Sequence, residues 1–302
     1  VDVAFFGGSF TNLPLELQER LLSPIYEEMA AGRLGAVRVS ARPDAIDMRI
    51  AGFLKERGVS IVELGVQSLC DEVLLAAGRG HTAASVADAV TSLRQTGLAV
   101  GLQLMPGLPG DTEQSSLRTM QLALGLKPDF LRIYPTLVLE ETELARRYRD
   151  GSYKPMQLDD AIFICKRMLH AAMLEKVPVI RIGLQPTEEL SLNGGVVAGP
   201  FHPAFRQLVE GELFFDLISM LCNGLPAGTE VKIASAPERL SDLVGQRRRN
   251  VNRLEEMGIR ISGVNGDPLL DDLEVRLTVG IENRTGNIAT DLLYRDGGCH
   301  AC

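Results

Sequence analysis

Six times in the first 190 residues a short apolar run stops at glycine or a polar cluster and is followed by a helical pattern. Few folds accept that rhythm. The runs are Val1–Phe6, Ala36–Ser40, Val59–Leu64, Leu98–Leu104, Phe130–Tyr134 and Val177–Ile182. They are rich in β-branched and aromatic residues and read as strands. Between them, leucines and isoleucines recur at helical spacing, as at Leu15, Leu21, Leu22, Ile25 and Met29 after Pro14. Strands that alternate with helices and carry near-continuous apolar runs predict parallel βα units covered on both faces. The fold class expected is α/β, a partial (βα)6 TIM-like barrel over 1–190.

In such a barrel the loops past the strands' C-terminal ends vary without disturbing the core, so that rim carries the chemistry. Gly7, Gly8, Ser40, Arg42, Gln67, Gln103, Tyr134 and Gln185 all fall on or near it. Singly, each has a bland reading: a Gly-Gly turn, a solvated arginine, a capping glutamine. Together, at the ends of successive strands, they mark a binding rim.

Past Ser191 the pattern changes. Residues 191–226 read as a linker and a long helix over Phe205–Leu221. Residues 227–282 read as a small α+β unit: strand Glu230–Ala234, helices Glu238–Val244 and Arg249–Met257, strands Ile259–Val264 and Leu273–Val279. Residues 283–302 read as a tail without periodicity.

Eight stretches carry a family likeness. In order they are AFFGGSFTNLP (4–14), VSARPD (39–44), ELGVQS (63–68), GRGHT (78–82), GLQLMPGLPGDT (101–112), RIYPTLVLEETEL (132–144), GSYKP (151–155) and PVIRIGLQPT (178–187). As a set they resemble the radical S-adenosylmethionine (SAM) enzymes, and within them the core of the Elongator catalytic subunit and its shorter bacterial relatives. The resemblance implies a radical SAM barrel that binds SAM and a 4Fe–4S cluster and modifies tRNA by SAM-derived radical chemistry. It places the SAM amino group at Gly7, Gly8 and Ser9, other polar SAM groups at Ser40 and Arg42, ribose or substrate at Gln67 and Gln103, and adenine on the stretch from Met105. Arg79 and His81 are more remote candidates.

One departure matters. Radical SAM enzymes hold their cluster by three cysteines spaced CxxxCxxC, and no such motif occurs in the 302 residues. Three thiolates leave one iron open for SAM. The expectation is that the cluster ligands lie upstream of Val1, and that the chain as it stands is cluster-free or inactive. Cys299 and Cys302, in GGCHAC beside His300, have CxxC spacing suited to half a metal site or a redox pair; an unstructured tail is the other reading. Cys70, Cys165 and Cys222 read as buried hydrophobes, and no disulfide framework is expected.

The 227–262 stretch has strand–helix–helix–strand order and resembles a KH-type RNA-binding module, with Gly245-Gln246-Arg247-Arg248 in place of its GxxG loop. It carries seven basic residues (Lys232, Arg239, Arg247, Arg248, Arg249, Arg253, Arg260) against five acidic (Glu230, Glu238, Asp242, Glu255, Glu256), on a chain of net charge −8. Arg247, Arg248 and Arg249 are therefore the RNA-contact candidates. The overall acidity argues against sequence-blind nucleic-acid binding. No run reaches the roughly 18 apolar residues of a membrane span, and no signal or transit segment is present, so no membrane partner and a cytoplasmic location are expected. The competing readings are a non-catalytic RNA-binding protein using the barrel as a platform, and a cluster-free barrel enzyme. The latter needs an acid–base pair at the rim, and Glu63 falls within a strand.

Overall fold

The structure is a computed structural model that describes residues 1–6, 9–185 and 195–294. Gly7, Gly8, Cys299 and Cys302 lie outside the described residues. The chain divides into two compact units, one of Val1–Gln157 with Glu175–Pro200, the other of Leu158–Leu174 with Phe201 onward.

The first unit is a sheet of six parallel strands: β1 (Val3–Phe5), β2 (Val37–Ala41), β3 (Ile61–Gln67), β4 (Ala99–Leu104), β5 (Phe130–Ile133) and, past a two-residue strand β6 (Val138–Leu139), β7 (Val179–Ile182). They lie in the order β1-β2-β3-β4-β5-β7. Helices α1 (Leu15–Ala30), α2 (Met48–Glu56), α3 (Asp71–Ala76), α4 (Ala83–Gln95) and α5 (Glu113–Gly125) follow the first four strands, and α6 (Glu143–Arg149) follows β6. Strand β8 (Val196–Ala198) pairs with β6. The helix starts are chemically set. Thr82 and Thr112 each accept from the backbone N–H three residues on and receive a reciprocal bond through Ser85 and Ser115, which satisfies otherwise orphaned donors.

The strands are not apolar throughout, as their runs suggest. They alternate. Val37, Val39, Val62, Leu64, Val100, Leu102, Leu104, Leu131, Ile133 and Ile182 are buried. The intervening positions carry Arg38, Ser40, Glu63, Gly65, Gly101, Gln103 and Arg132, brought side by side by the register Ser40↔Glu63↔Gly101↔Phe130 and Gln103↔Arg132. Contacts across this second face show that the sheet curls. Glu63 on β3 bonds arginines from β2 and β5, and the Arg132 guanidinium sits 5.5 Å from the centre of the Phe6 ring, which follows β1. The sheet is a half-barrel with an apolar outer layer and a polar inner wall.

The second unit holds α7 (Leu158–Leu174), α8 (Phe205–Cys222), α9 (Leu240–Val244), α10 (Arg249–Glu256) and a sheet of β9 (Glu230–Ser235), β10 (Arg260–Gly266), β11 (Glu274–Val279) and β12 (Glu282–Asn287), in the order β10-β9-β11-β12. A short α11 (Ile288–Asp291) follows. The sequence suggests that α7 belongs with the barrel segment; the structure groups it with α8. It is buried over most of its circumference, Lys166 Nζ bonds Asp216 Oδ2 of α8 at 2.6 Å, and His170 Nε2 lies 3.0 Å from the Ile288 carbonyl. The helix of the expected linker is core, with Phe214, Leu217 and Ile218 fully buried. The expected tail is also corrected: residues through Asn287 form an edge strand paired antiparallel to β11. Its side chains, Glu282, Asn283, Arg284 and Thr285, are polar, so the pairing rests on backbone bonds that leave no hydrophobic period.

Candidate functional site: the rim and inner wall of the half-barrel

Six of the site candidates that the structure describes, Ser9, Arg42, Arg79, Met105, Gln67 and Gln103, form one connected set. Ser9 Oγ accepts from the backbone N–H of Arg42 at 3.0 Å. The Arg42 guanidinium donates to the Arg79 carbonyl at 2.9 Å. Arg79 in turn donates to Met105 Sδ at 3.3 Å. The Met105 N–H donates to the Gln67 carbonyl at 2.8 Å, and Gln103 Nε2 donates to Gln67 Oε1 at 3.2 Å. Ser40 lies on the inner wall beside Glu63 in register. Gln185 is exposed, past the end of β7.

Local backbone explains part of this. β3 has a register irregularity before Gln67, whose φ of 66° is left-handed. That conformation is uncommon for a residue other than glycine and concentrates at functional sites. It turns the Gln67 carbonyl to Met105 while the side chain meets Gln103.

The two rim arginines differ in what they have left to give. Arg42 is held bidentately by Asp44, Nε to Oδ1 at 2.9 Å and Nη2 to Oδ2 at 2.8 Å. This pair holds the Asp44 carboxyl below its usual range, the Arg42 hydrogen bonds being the main cause. Arg79 has no carboxylate partner among the described residues. Its Nε is buried without a hydrogen-bond partner, and burial, with Arg42 nearby, pushes its pKa down. A buried, unpaired guanidinium donor costs free energy unless an anion completes it. Arg79 is thus better suited than Arg42 to a ligand carboxylate. Its signal in the sequence was only its place in GRGHT. His81 is buried, its Nε2 3.0 Å from the Val66 carbonyl, which locks the turn before α4 to β3.

Below the rim lies a cluster that strand-end reasoning passed over. Glu63 is 5% exposed. Its Oε1 accepts from Arg38 Nη1 at 2.7 Å and from Arg132 Nη2 at 3.0 Å. Arg132 Nε lies 2.9 Å from Oε2 without the alignment of a hydrogen bond. Arg132 Nη1 donates to the Tyr134 hydroxyl at 3.1 Å, and Arg38 stacks 5.2 Å from the centre of the Phe130 ring. Its signal was the period-two placement of polar residues in VRVSA, VELGVQ and FLRIY.

The rim fits SAM: a guanidinium without a carboxylate partner among the described residues, two carboxamides for ribose hydroxyls, and the Met105 thioether for a base face. A cluster does not fit the described residues. None of them form a group of three or more cysteine, histidine or carboxylate side chains able to hold a metal. Cys165 and Cys222 are buried in the second unit, and burial raises both thiols, Cys222 to about 11; Cys70, expected to be buried, is half-buried in the first unit, its thiol donating to Glu72 at 3.0 Å.

In the second unit Arg247, Arg248 and Arg249 are exposed on the turn between α9 and α10. Arg247 and Arg248 are left-handed, at φ 51° and 63°. The turn is braced from below by buried Asn250, whose Nδ2 donates to the carbonyls of Gly211, Asp242 and Leu243. No side chain fits at Gly245, where a Cβ would come within 2.8 Å of Asn250. Arg249 is 3.7 Å from Asp159 and 3.8 Å from Glu212.

Residues 1–123 match the radical SAM superfamily model, and residues 128–214 the radical SAM C-terminal domain. The chain carries radical SAM and radical SAM C-terminal domains and is homologous to the Elongator catalytic subunit. It is 30% identical over 184 residues to a tRNA uridine(34) acetyltransferase of Methanocaldococcus jannaschii, covering 54% of this chain and 34% of the relative. It is 27% identical over 191 residues to human Elongator complex protein 3, covering 56% and 35%. The chain thus spans about a third of the length of these curated relatives. Among solved structures, Elp3 of Methanocaldococcus infernus with an N-terminal deletion matches with a TM-score of 0.60 at 25% identity, over 76% of this chain and 56% of that one. Coproporphyrinogen III oxidase (HemN) of Escherichia coli shares the fold, with a TM-score of 0.50 at 19% identity over 58% of this chain and 40% of that one.

Proposed function

We propose that the half-barrel is the SAM-binding, substrate-facing part of a radical SAM enzyme that modifies tRNA. The observation that carries this is the connected rim from Ser9 through Arg42, Arg79, Met105 and Gln67 to Gln103, with a buried guanidinium donor left unpaired. Arg79 holds the carboxylate. Arg42, itself held by Asp44, positions Arg79 through its carbonyl. Gln67 and Gln103 orient the ribose, Met105 packs on the base, and Gly7, Gly8, Ser9 and Ser40 complete the amino-acid end. SAM, when bound, supplies the radical-forming sulfonium nucleoside. The described residues do not hold the 4Fe–4S cluster of the family. The tRNA assignment rests on the named relatives.

The test is SAM binding by isothermal titration calorimetry. Removing a charge-assisted bond of about 1.5 to 3 kcal/mol predicts a loss of tenfold or more for Arg79→Gln. Asp44→Asn, which frees Arg42, has a smaller effect. Equal affinity in wild type and Arg79→Gln overturns the assignment.

A second reading, a non-catalytic RNA-binding platform, is favoured by the braced, exposed Arg247–Arg249 turn. It expects salt-dependent tRNA binding that falls in the Arg247→Ala, Arg248→Ala, Arg249→Ala triple variant together with no SAM affinity. SAM affinity removes it.

A further inference from the structure

The ion cluster of the inner wall is not balanced. Among the described residues, three guanidiniums, of Arg38, Arg132 and Arg181, share the wall with one carboxylate, Glu63. Arg181 is the strand partner of Arg132, and in a parallel ladder paired residues point to the same side. A structural brace accounts for Arg38 and Arg132, which both bond Glu63. It does not account for Arg181, which is half-buried and makes no hydrogen bond or ion pair with any described residue. Tyr134 is 8% exposed and its hydroxyl accepts from Arg132, so its own proton is free to donate. Arg132 also keeps a buried Nε without an aligned acceptor. Surplus positive charge on a partly enclosed concave wall is unfavourable until an anion completes it.

We propose that Arg132, Arg181 and the Tyr134 hydroxyl form a phosphate subsite for the substrate inside the half-barrel, next to the rim at Gln103, with Glu63 and Arg38 fixing the orientation of Arg132. Gln103 and Arg132 are strand partners, so a phosphate held here lies one strand away from the rim carboxamides. Two guanidiniums and a hydroxyl give forked, charge-assisted donors, the geometry that recognises phosphate oxygens. The subsite selects a phosphorylated substrate over its neutral nucleoside. That phosphate is the shared feature of an internal phosphodiester and a free nucleotide. The inference deepens, and rests on, the reading of the half-barrel as a substrate-facing radical SAM core.

The experiment titrates the full chain with uridine, uridine 5′-monophosphate, the trinucleotide UpUpU and inorganic phosphate, and separately with SAM. The expected result is that a phosphorylated probe binds at least about tenfold more tightly than uridine, the factor of one charge-assisted bond. Arg181→Gln removes that preference and Arg181→Lys keeps most of it. Arg181 has no described partner to lose, so Arg181→Gln retains its melting temperature, and a retained melt is checked first. Arg132→Lys, which keeps the charge but not the fork, gives an intermediate preference. UpUpU binding more tightly than the monophosphate assigns the site to a phosphodiester; the reverse assigns it to a free nucleotide. Equal affinity for uridine and all phosphorylated probes overturns the subsite, as does a preference unchanged in Arg181→Gln. SAM binding separates the two readings. SAM affinity without phosphate preference removes the subsite and leaves the rim, and phosphate preference without SAM affinity does the opposite.

Discussion

Glu63→Gln is the sharpest test of the inner wall. The substitution keeps shape and volume, so it leaves no cavity and isolates the charge. In the wild type the side chains of Glu63, Arg132 and Arg38 are 6%, 14% and 23% exposed. Removing one partner of a buried ion pair costs about 3 to 5 kcal/mol, because the other charge stays buried and uncompensated. Here two guanidiniums lose the same carboxylate, and the amide nitrogen introduced by the substitution would face donors with a donor. The partial exposure of Arg38 lets water recover some of that loss. The lower end of the range, about 3 kcal/mol, is therefore expected. At about 2 to 4 °C per kcal/mol for a domain of this size, the half-barrel's transition should fall by roughly 6 to 12 °C. Differential scanning calorimetry resolves the two units if they melt separately, and the shift should be confined to one transition. A cycle with Arg38→Met supplies the control: the double variant should lose less than the two single losses added, since neither leaves the other's charge stranded. A loss below about 1 kcal/mol for Glu63→Gln, or strict additivity, would show that water or another group already satisfies these arginines.

Three further outcomes follow from single sites. A Cβ at Gly101 would lie 2.2 Å from two ring carbons of Phe130, so Gly101→Ala should cost about 1 to 3 kcal/mol in urea denaturation, and Phe130→Leu in the same chain should restore most of it. Tyr153 is buried, donates to the Gly107 carbonyl at 2.6 Å, and has its pKa raised by burial to about 12. The neutral form is the one the fold prefers, so its contribution is complete below the unfolded pKa near 10 and is lost as pH rises towards 12. Tyr153→Phe should flatten that slope in melts taken between pH 9 and 12, and an unchanged slope counts against the assignment. At Arg247 the left-handed backbone costs an L-residue about 1 kcal/mol or more, so Arg247→Gly should hold or raise the melting temperature of the second unit while weakening tRNA retention at low salt; loss of both excludes a strained contact loop.

The strands, their order along the chain and the rim they form were legible because burial of one sheet face and strand-terminating glycines leave strong local marks. Arg42, Gln67 and Gln103 could be placed on the rim for that reason, and Ser9 and Met105 only through the resemblance. The division of labour between Arg42 and Arg79 could not. It depends on Asp44 lying two residues from Arg42 with its carboxylate in bidentate range, and on how deeply Arg79 is buried, and neither is a matter of spacing. The Glu63 cluster was hidden differently. Its members are 25 and 69 residues apart, and only curling of the sheet brings β2 and β5 to one carboxylate. The grouping of α7 with α8 was hidden because a helix buried over most of its surface carries no stripe to say which neighbour it will choose.

In closed (βα)8 barrels the interior is filled by layers of branched apolar side chains and contributes to stability. This half-barrel does the reverse. Its inner wall carries the small residues Ala99, Gly101, Gly65 and Ser40 between arginines and carboxamides, with the Phe130 ring lying over Gly101 and the Gln67 side chain over Gly65. The apolar contribution falls to the outer face, where Val39, Leu64, Leu102 and Leu131 are fully or almost fully buried. Substitutions on the two faces of one strand should therefore separate. Leu102→Ala should cost about 2 to 5 kcal/mol and leave the ligand affinities of the folded fraction intact. Gln103→Ala, one residue on, should leave the melt near wild type and weaken SAM. If both lower stability alike, the inner wall is a packed core, and the lumen is not a ligand site.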